Sequence, residues 1–162
     1  MDGPFAPPRD SAWLRVSPRL ARMRRTVLLA AGVPVVAVTS GAVAVASTTV
    51  ASIIAAVGVT LLVLAWFAIG RNLRSWGYVE RADDLLVTHG AMFKKLTVVP
   101  YGRMQLVDVE AGPIARSFGL VSVKLHTAAA TTDATVRGLT PDVAAALRDR
   151  LTELGEAHAS GL

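Results

Sequence analysis

The chain has 162 residues, 52% of them hydrophobic and only 18% charged, with a mean hydropathy of +0.48 that is high for a water-soluble domain. It contains no cysteine, which excludes a disulfide framework, an iron–sulfur cluster and a thiolate zinc site. The net charge of +5 is concentrated at the start: residues 1–25 carry six Arg against Asp2 and Asp10, whereas residues 71–162 carry eleven Lys and Arg against ten Asp and Glu. A nucleic-acid binder would carry its positive excess on the folded domain, so that function class is disfavoured.

Residues 1–25 read as a basic N-terminal segment on the cytoplasmic side. From Thr26 to Gly70 there is no Asp, Glu, Lys, Arg or His. One crossing of the hydrocarbon core takes about 20 apolar residues, so this stretch predicts two transmembrane helices, about 27–45 and 50–70, joined by a turn near Ala46 to Thr49. Pro34 lies inside the first span, which membrane helices tolerate. Gly32, Gly41 and Gly58 allow close helix–helix approach.

Orientation follows the Lys/Arg bias of short flanks. Arg15, Arg19, Arg22, Arg24 and Arg25 precede the first span, Arg71, Arg74 and Arg81 follow the second, and the turn is uncharged. Both termini are therefore expected in the cytoplasm of an inner-membrane protein. Arg24, Arg25, Arg71 and Arg74, with Trp66, Trp76 and Tyr78, are the expected interface anchors. A secretory signal ending near Ala44-Val45-Ala46 is the rival reading, but a 25-residue basic region is long for one. Even after such cleavage the second span would leave the C-terminal part inside. The spans hold no ionisable residue, which favours an anchor over a transport pathway.

Residues 71–77 form a linker at the interface, and the texture then changes to short alternating runs. Strands are expected at Tyr78–Arg81, Leu85–His89, Lys94–Val99, Met104–Glu110, Val121–Thr127 and about Thr132–Arg137. In the fourth, Gln105, Val107 and Val109 alternate against Met104, Leu106, Asp108 and Glu110. In the fifth, Val121, Val123 and Leu125 face inward. Thr140 as N-cap, Pro141 at the first helical position and Asp142 beside the positive helix end open a final helix. Its apolar stripe is Val143, Leu147, Leu151 and Leu154, and Gly155 is a natural stop, leaving residues 156–162 as a flexible tail. Strands followed by one amphipathic helix predict an antiparallel barrel or sandwich plugged by that helix.

The stretches Val99-Pro100-Tyr101, Arg103-Met104-Gln105, Val107-Asp108-Val109, Gly112-Pro113, Arg116, Phe118-Gly119-Leu120, Val123 and Thr127-Ala128 resemble the bacterial pleckstrin-homology-like (PH-like) domain of YdbS/YdbT-type membrane proteins. The resemblance spans roughly Tyr78 to Leu154. It implies a PH-like domain over 78–155, a seven-stranded barrel capped by a C-terminal helix behind a membrane hairpin, and no enzyme activity. Pro100, Tyr101, Gly112, Pro113, Phe118 and Gly119 then serve as scaffold. Pro100 suits a strand end, and after the Gly112-Pro113 turn Ile114 and Phe118 can fold over one barrel end.

Candidate chemistry is sparse. His89, His126 and His158 are scattered, so no metal is expected, and no Gly-rich phosphate loop or nucleophile motif implies a cofactor. Asp83 and Asp84 read as turn carboxylates, and Asp108 with Glu110 as an exposed strand face. Lys94, Lys95 and Arg103 are the candidate contacts for lipid or a partner. The sequence therefore predicts a non-enzymatic, membrane-anchored scaffold that binds a protein partner or itself through a sheet edge. An anionic-lipid sensor is the alternative, and a transporter or enzyme subunit stands below both.

Overall fold

The computed structural model describes residues 13–91, 93–128 and 133–159. Within it the chain forms two units, residues 21–71 and a second unit built from residues up to Leu20 together with Asn72–Leu162.

The first unit is the apolar stretch. Helix α1 spans Arg19–Ala44 and helix α2 spans Thr48–Arg74, so the turn is shorter than the sequence suggests and helix α2 begins at Thr48. At 1.5 Å per residue each helix is about 40 Å long, which exceeds the ~30 Å hydrocarbon core. Both helices are long and apolar enough to cross a membrane, and their apolar windows are not buried by the rest of the chain. Small residues bring them together: a Cβ on Gly58 would lie 2.7 Å from Val36, and one on Gly32 would collide with Leu62. Thr39, Ser40 and Thr60 donate their hydroxyls to carbonyls one turn back, Val35, Val36 and Ala56, at 2.7–2.8 Å. Hydroxyls satisfied in this way need no water, as an apolar medium requires.

The second unit holds two antiparallel sheets. One has the order β1-β2-β3-β4, formed by Leu14–Arg15, Gly77–Glu80, Asp84–His89 and Lys95–Pro100. The other has the order β5-β6-β7, formed by Met104–Glu110, Val121–Thr127 and Ala134–Leu139. A 3-10 turn, Tyr101–Arg103, links the sheets, and a short helix α3, Pro113–Ser117, joins β5 to β6. Helix α4, Pro141–Ala159, closes the chain against β5, β6 and the 3-10 turn. The core comprises Tyr78, Leu85, Val87, Val99, Tyr101, Val123, Leu125, Val136, Leu139, Leu147 and Leu151, together with Ala134 and Ala144.

Six strands lie where the alternation places them, within two residues at each described end; Thr132 falls outside the described residues. The seventh comes from the basic N-terminal segment. Leu14 and Arg15 pair with Tyr78 and Gly77, so the helical hairpin is an insertion in the β1–β2 connection. The residues just after β1 are also docked. Ser17 N–H donates to the Gly138 carbonyl at 2.9 Å, and Leu20 is only 4% exposed. Gly138 makes this approach possible. It sits at a register shift between β6 and β7 with φ +76°, and a Cβ there would lie 2.6 Å from Leu20 Cδ2.

Four further expectations are corrected. A bulge between Met104 and Leu106 inserts an extra residue, so Met104 and Val107 both pack on the core and strict alternation fails. On α4 the buried stripe is Ala144, Leu147, Leu151 and Leu154, whose spacing of three, four, three centres on Ala144; Val143 is 43% exposed. Gly155 does not stop the helix, because Glu156 to Ala159 continue it. Ile114 is 52% exposed and does not cover the barrel end, where Leu120 at 1% is the buried residue.

Candidate functional site

The predicted contact cations separate. Lys95 opens β4, directly opposite His89 on β3, and Lys94 is exposed just before it. Arg103 ends the 3-10 turn at the far end of the same strand, about 17 Å away at the usual rise per residue. These three do not form one patch.

The predicted anchors also divide. Trp66 and Arg25 meet within the hairpin, the guanidinium carbon 4.5 Å from the ring centroid. Arg71 and Arg74 lie in the last turn of α2, and Arg24 and Arg25 in α1. Tyr78 is not an anchor, since at 3% exposure it is a core side chain of β2. Trp76 is partly buried on the β-domain, with its Nε1–H donating to Asn72 Oδ1 at 3.0 Å.

The motif residues are structural. Pro100 ends β4, and Tyr101 is fully buried, its hydroxyl pushed up to about 12 by burial first and then by Glu80 and Asp84. Gly112 precedes α3, Pro113 is its first residue, and Phe118 caps its end. Gly119, at φ +63°, reverses the chain into β6.

Polar and charged groups around β5 and β6 face one another. Lys124 Nζ lies 2.8 Å from Glu110, and His126 stands between Asp108 at 3.6 Å and Asp133 at 3.2 Å. Asp133 also accepts the Thr127 N–H at 2.9 Å, and that bond leads the causes holding its carboxyl below the ordinary range. Asp84 is paired with Arg81, and Asp83 is exposed. His158 bonds the Leu154 carbonyl at 2.8 Å. Among the described residues no group of three or more His, Asp or Glu is arranged to hold a metal ion.

Two concavities among the described residues bear on function. One, of about 320 Å³, is a groove between β5 and the end of α4, lined by Met104, Gln105, Leu106, Val107, Leu151, Thr152, Gly155 and Glu156. Since β5 is an end strand of its sheet, the groove runs along a strand with one side unpaired by any strand among the described residues. Leu106 and Val109 of β5 are 53% and 41% exposed. The other concavity, about 290 Å³, opens between the sheets at Trp76, His89, Lys95 and Arg137. Neither was legible as a concavity beforehand, because convergence of separate elements leaves no trace in local spacing.

No curated protein and no solved structure matches this chain. The family model for the bacterial PH domain matches residues 26–155, from within α1 through β2 to β7 and most of α4. Two sheets of four and three strands closed by a C-terminal helix fit that family, and the chain belongs to the bacterial PH domain family.

Proposed function

We propose that the protein is a non-enzymatic interaction module, held at the cytoplasmic face of the inner membrane by its hairpin, that binds an extended segment of a partner protein along β5. The carrying observation is the open side of β5 beside a groove floored by Leu151 and Met104. An end strand offers a row of backbone donors and acceptors that an added strand satisfies, and pockets for alternate side chains select its sequence. The exposed Leu106 favours a segment with apolar residues at alternate positions.

Two features support the topology. The basic residues flank both ends of an uncharged hairpin. In addition, β1 and β2 are hydrogen-bonded neighbours although the whole hairpin separates them in sequence. Two crossings return the chain to the side it left, as this pairing needs; a single crossing would part the two strands.

The test is site-specific photo-crosslinking in full-length protein in membranes. A crosslinker at Leu106 should give a partner adduct that Thr152→Arg, which obstructs the groove, abolishes. A crosslinker at Val98, exposed on the other sheet, should give none. Equal adducts from both positions, or adducts indifferent to Thr152→Arg, overturn the proposal.

A further inference from the structure

Charge is unevenly spread along β5. Arg103 is exposed just before the strand begins, while Asp108 and Glu110 stand toward its end with their side chains about half exposed. Leu106, exposed and apolar, lies between the two signs of charge. Arg103 forms no ion pair among the described residues, whereas Glu110 is held by Lys124 through one oxygen and Asp108 lies 3.6 Å from His126.

An edge of this kind is complementary to its own reverse. Laid antiparallel on a second copy about a two-fold axis at Leu106, the strand sets Leu106 against Leu106. Arg103, three residues before the axis, then falls about 10 Å from it, level with the stretch between Asp108 and Glu110 of the second copy. Other arrangements do worse. An axis at Asp108 sets two carboxylates directly opposite, an axis at Val107 sets Leu106 against a carboxylate, and a parallel pairing aligns each charge with its own kind. A two-fold interface requires a patch that is complementary to itself, and β5 meets that requirement in the register centred on Leu106. Thr152 and Gly155 of α4 wall the adjoining groove with short side chains, which leaves room for an added strand.

We propose that the segment taken up along β5 is β5 of a second copy, so that the two three-stranded sheets join into one across a two-fold axis at Leu106. This rests on the reading of β5 as an open docking edge and commits that edge to one occupant. A seam one strand long is small against the ~800 Å² per partner of a standard interface, so the pairing is reversible.

The chain has no cysteine, so a single introduced one reports on its own symmetry mate. In full-length protein in membranes under mild oxidation, Leu106→Cys should yield a disulfide-linked dimer, because residues directly opposite in an antiparallel pair lie about 4.5–5.5 Å apart at Cα, within disulfide reach. Asp108→Cys should yield none, its two copies standing about 14 Å apart along the seam. Val98→Cys, exposed on the other sheet, should also yield none. Arg103→Glu added to Leu106→Cys should weaken the pairing about tenfold, since two symmetry-related contacts turn from attraction to repulsion. Combining Arg103→Glu with Glu110→Arg should restore it. Equal dimer from all three cysteines, or a yield indifferent to Arg103→Glu, overturns self-pairing. A photo-adduct from Leu106 to a different protein, without a Leu106→Cys dimer, overturns self-pairing and leaves β5 as a docking edge; no adduct and no dimer overturn both.

Discussion

The docking of the N-terminal segment onto β7 can be measured through Gly138 and Leu20. Gly138→Ala meets two costs. A residue with a Cβ at φ +76° is strained by about 1–2 kcal/mol. The new methyl would also lie 2.6 Å from Leu20 Cδ2 and 3.1 Å from its Cβ, so the α1 backbone as well as the side-chain tip must yield; overpacking of this kind costs about 1–3 kcal/mol. Leu20→Ala empties a site only 4% exposed and should cost about 2–5 kcal/mol. In the double variant the emptied space receives the methyl. The steric part of the Gly138 cost is relieved and the backbone part stays, so the double variant should be more stable than the sum of the singles by about 1–3 kcal/mol. For a domain of this size 1 kcal/mol moves Tm by about 4–8 °C. Near-UV circular dichroism of full-length protein in detergent, followed through urea unfolding, supplies all four corners of the cycle. Strict additivity, or a Leu20→Ala variant as stable as the parent, would refute the claim that residues 13–20 belong to the β-domain.

Further outcomes follow from single positions. Leu147→Ala on α4 should destabilise by about 2–5 kcal/mol while Val143→Ala stays within about 0.5 kcal/mol, measured by urea unfolding; equal losses would restore the stripe expected from sequence. Gly155→Ala should stabilise by about 0.5–1 kcal/mol in the same assay, because the helix continues through this position and a Cβ meets only ordinary contacts at 3.6 Å and beyond. Both tyrosines are raised from 10.0 by burial, Tyr101 to about 12. The folded protein should therefore show little tyrosinate absorbance at pH 10, and the stability held by neutral Tyr101 should be complete below pH 10.0 and lost as pH rises toward about 12. Asp133 works in the opposite direction. Its lowered carboxyl stabilises the fold above its ordinary 3.8, a contribution lost as pH falls through the lower folded value, and Asp133→Asn should remove that acid-side dependence of Tm.

The hairpin and most strands were legible because their signals are local. The uncharged run from Thr26 to Gly70 needs no partner to be recognised, and the alternation through Val121–Thr127 states its own inner face. What escaped was set by distant contacts. Two residues, Leu14 and Arg15, carry no strand period of their own and become a strand only because Tyr78 and Gly77 lie beside them. Gly155 reads as a stop until packing of α4 on the 3-10 turn makes a longer helix worthwhile, its mid-helix cost of about 1 kcal/mol being small against the burial of Leu151. At the candidate sites, Lys95 was recognisable as a basic residue beside a turn. Arg137 was not, and His89 stood only among three scattered histidines, since only the facing of β7 toward β3 brings the two together.

The insertion of the hairpin between β1 and β2 sets an order for biogenesis. Leu14 and Arg15 leave the ribosome before either apolar helix, and their neighbours Tyr78 and Gly77 leave it after both. The first sheet therefore cannot be completed while translation proceeds through the hairpin, and its closure waits for the chain to come back. On the proposed two-crossing topology, a copy whose second helix failed to return would keep its strands apart and expose the bare edge of β2, a form that quality-control proteases could distinguish from the assembled one.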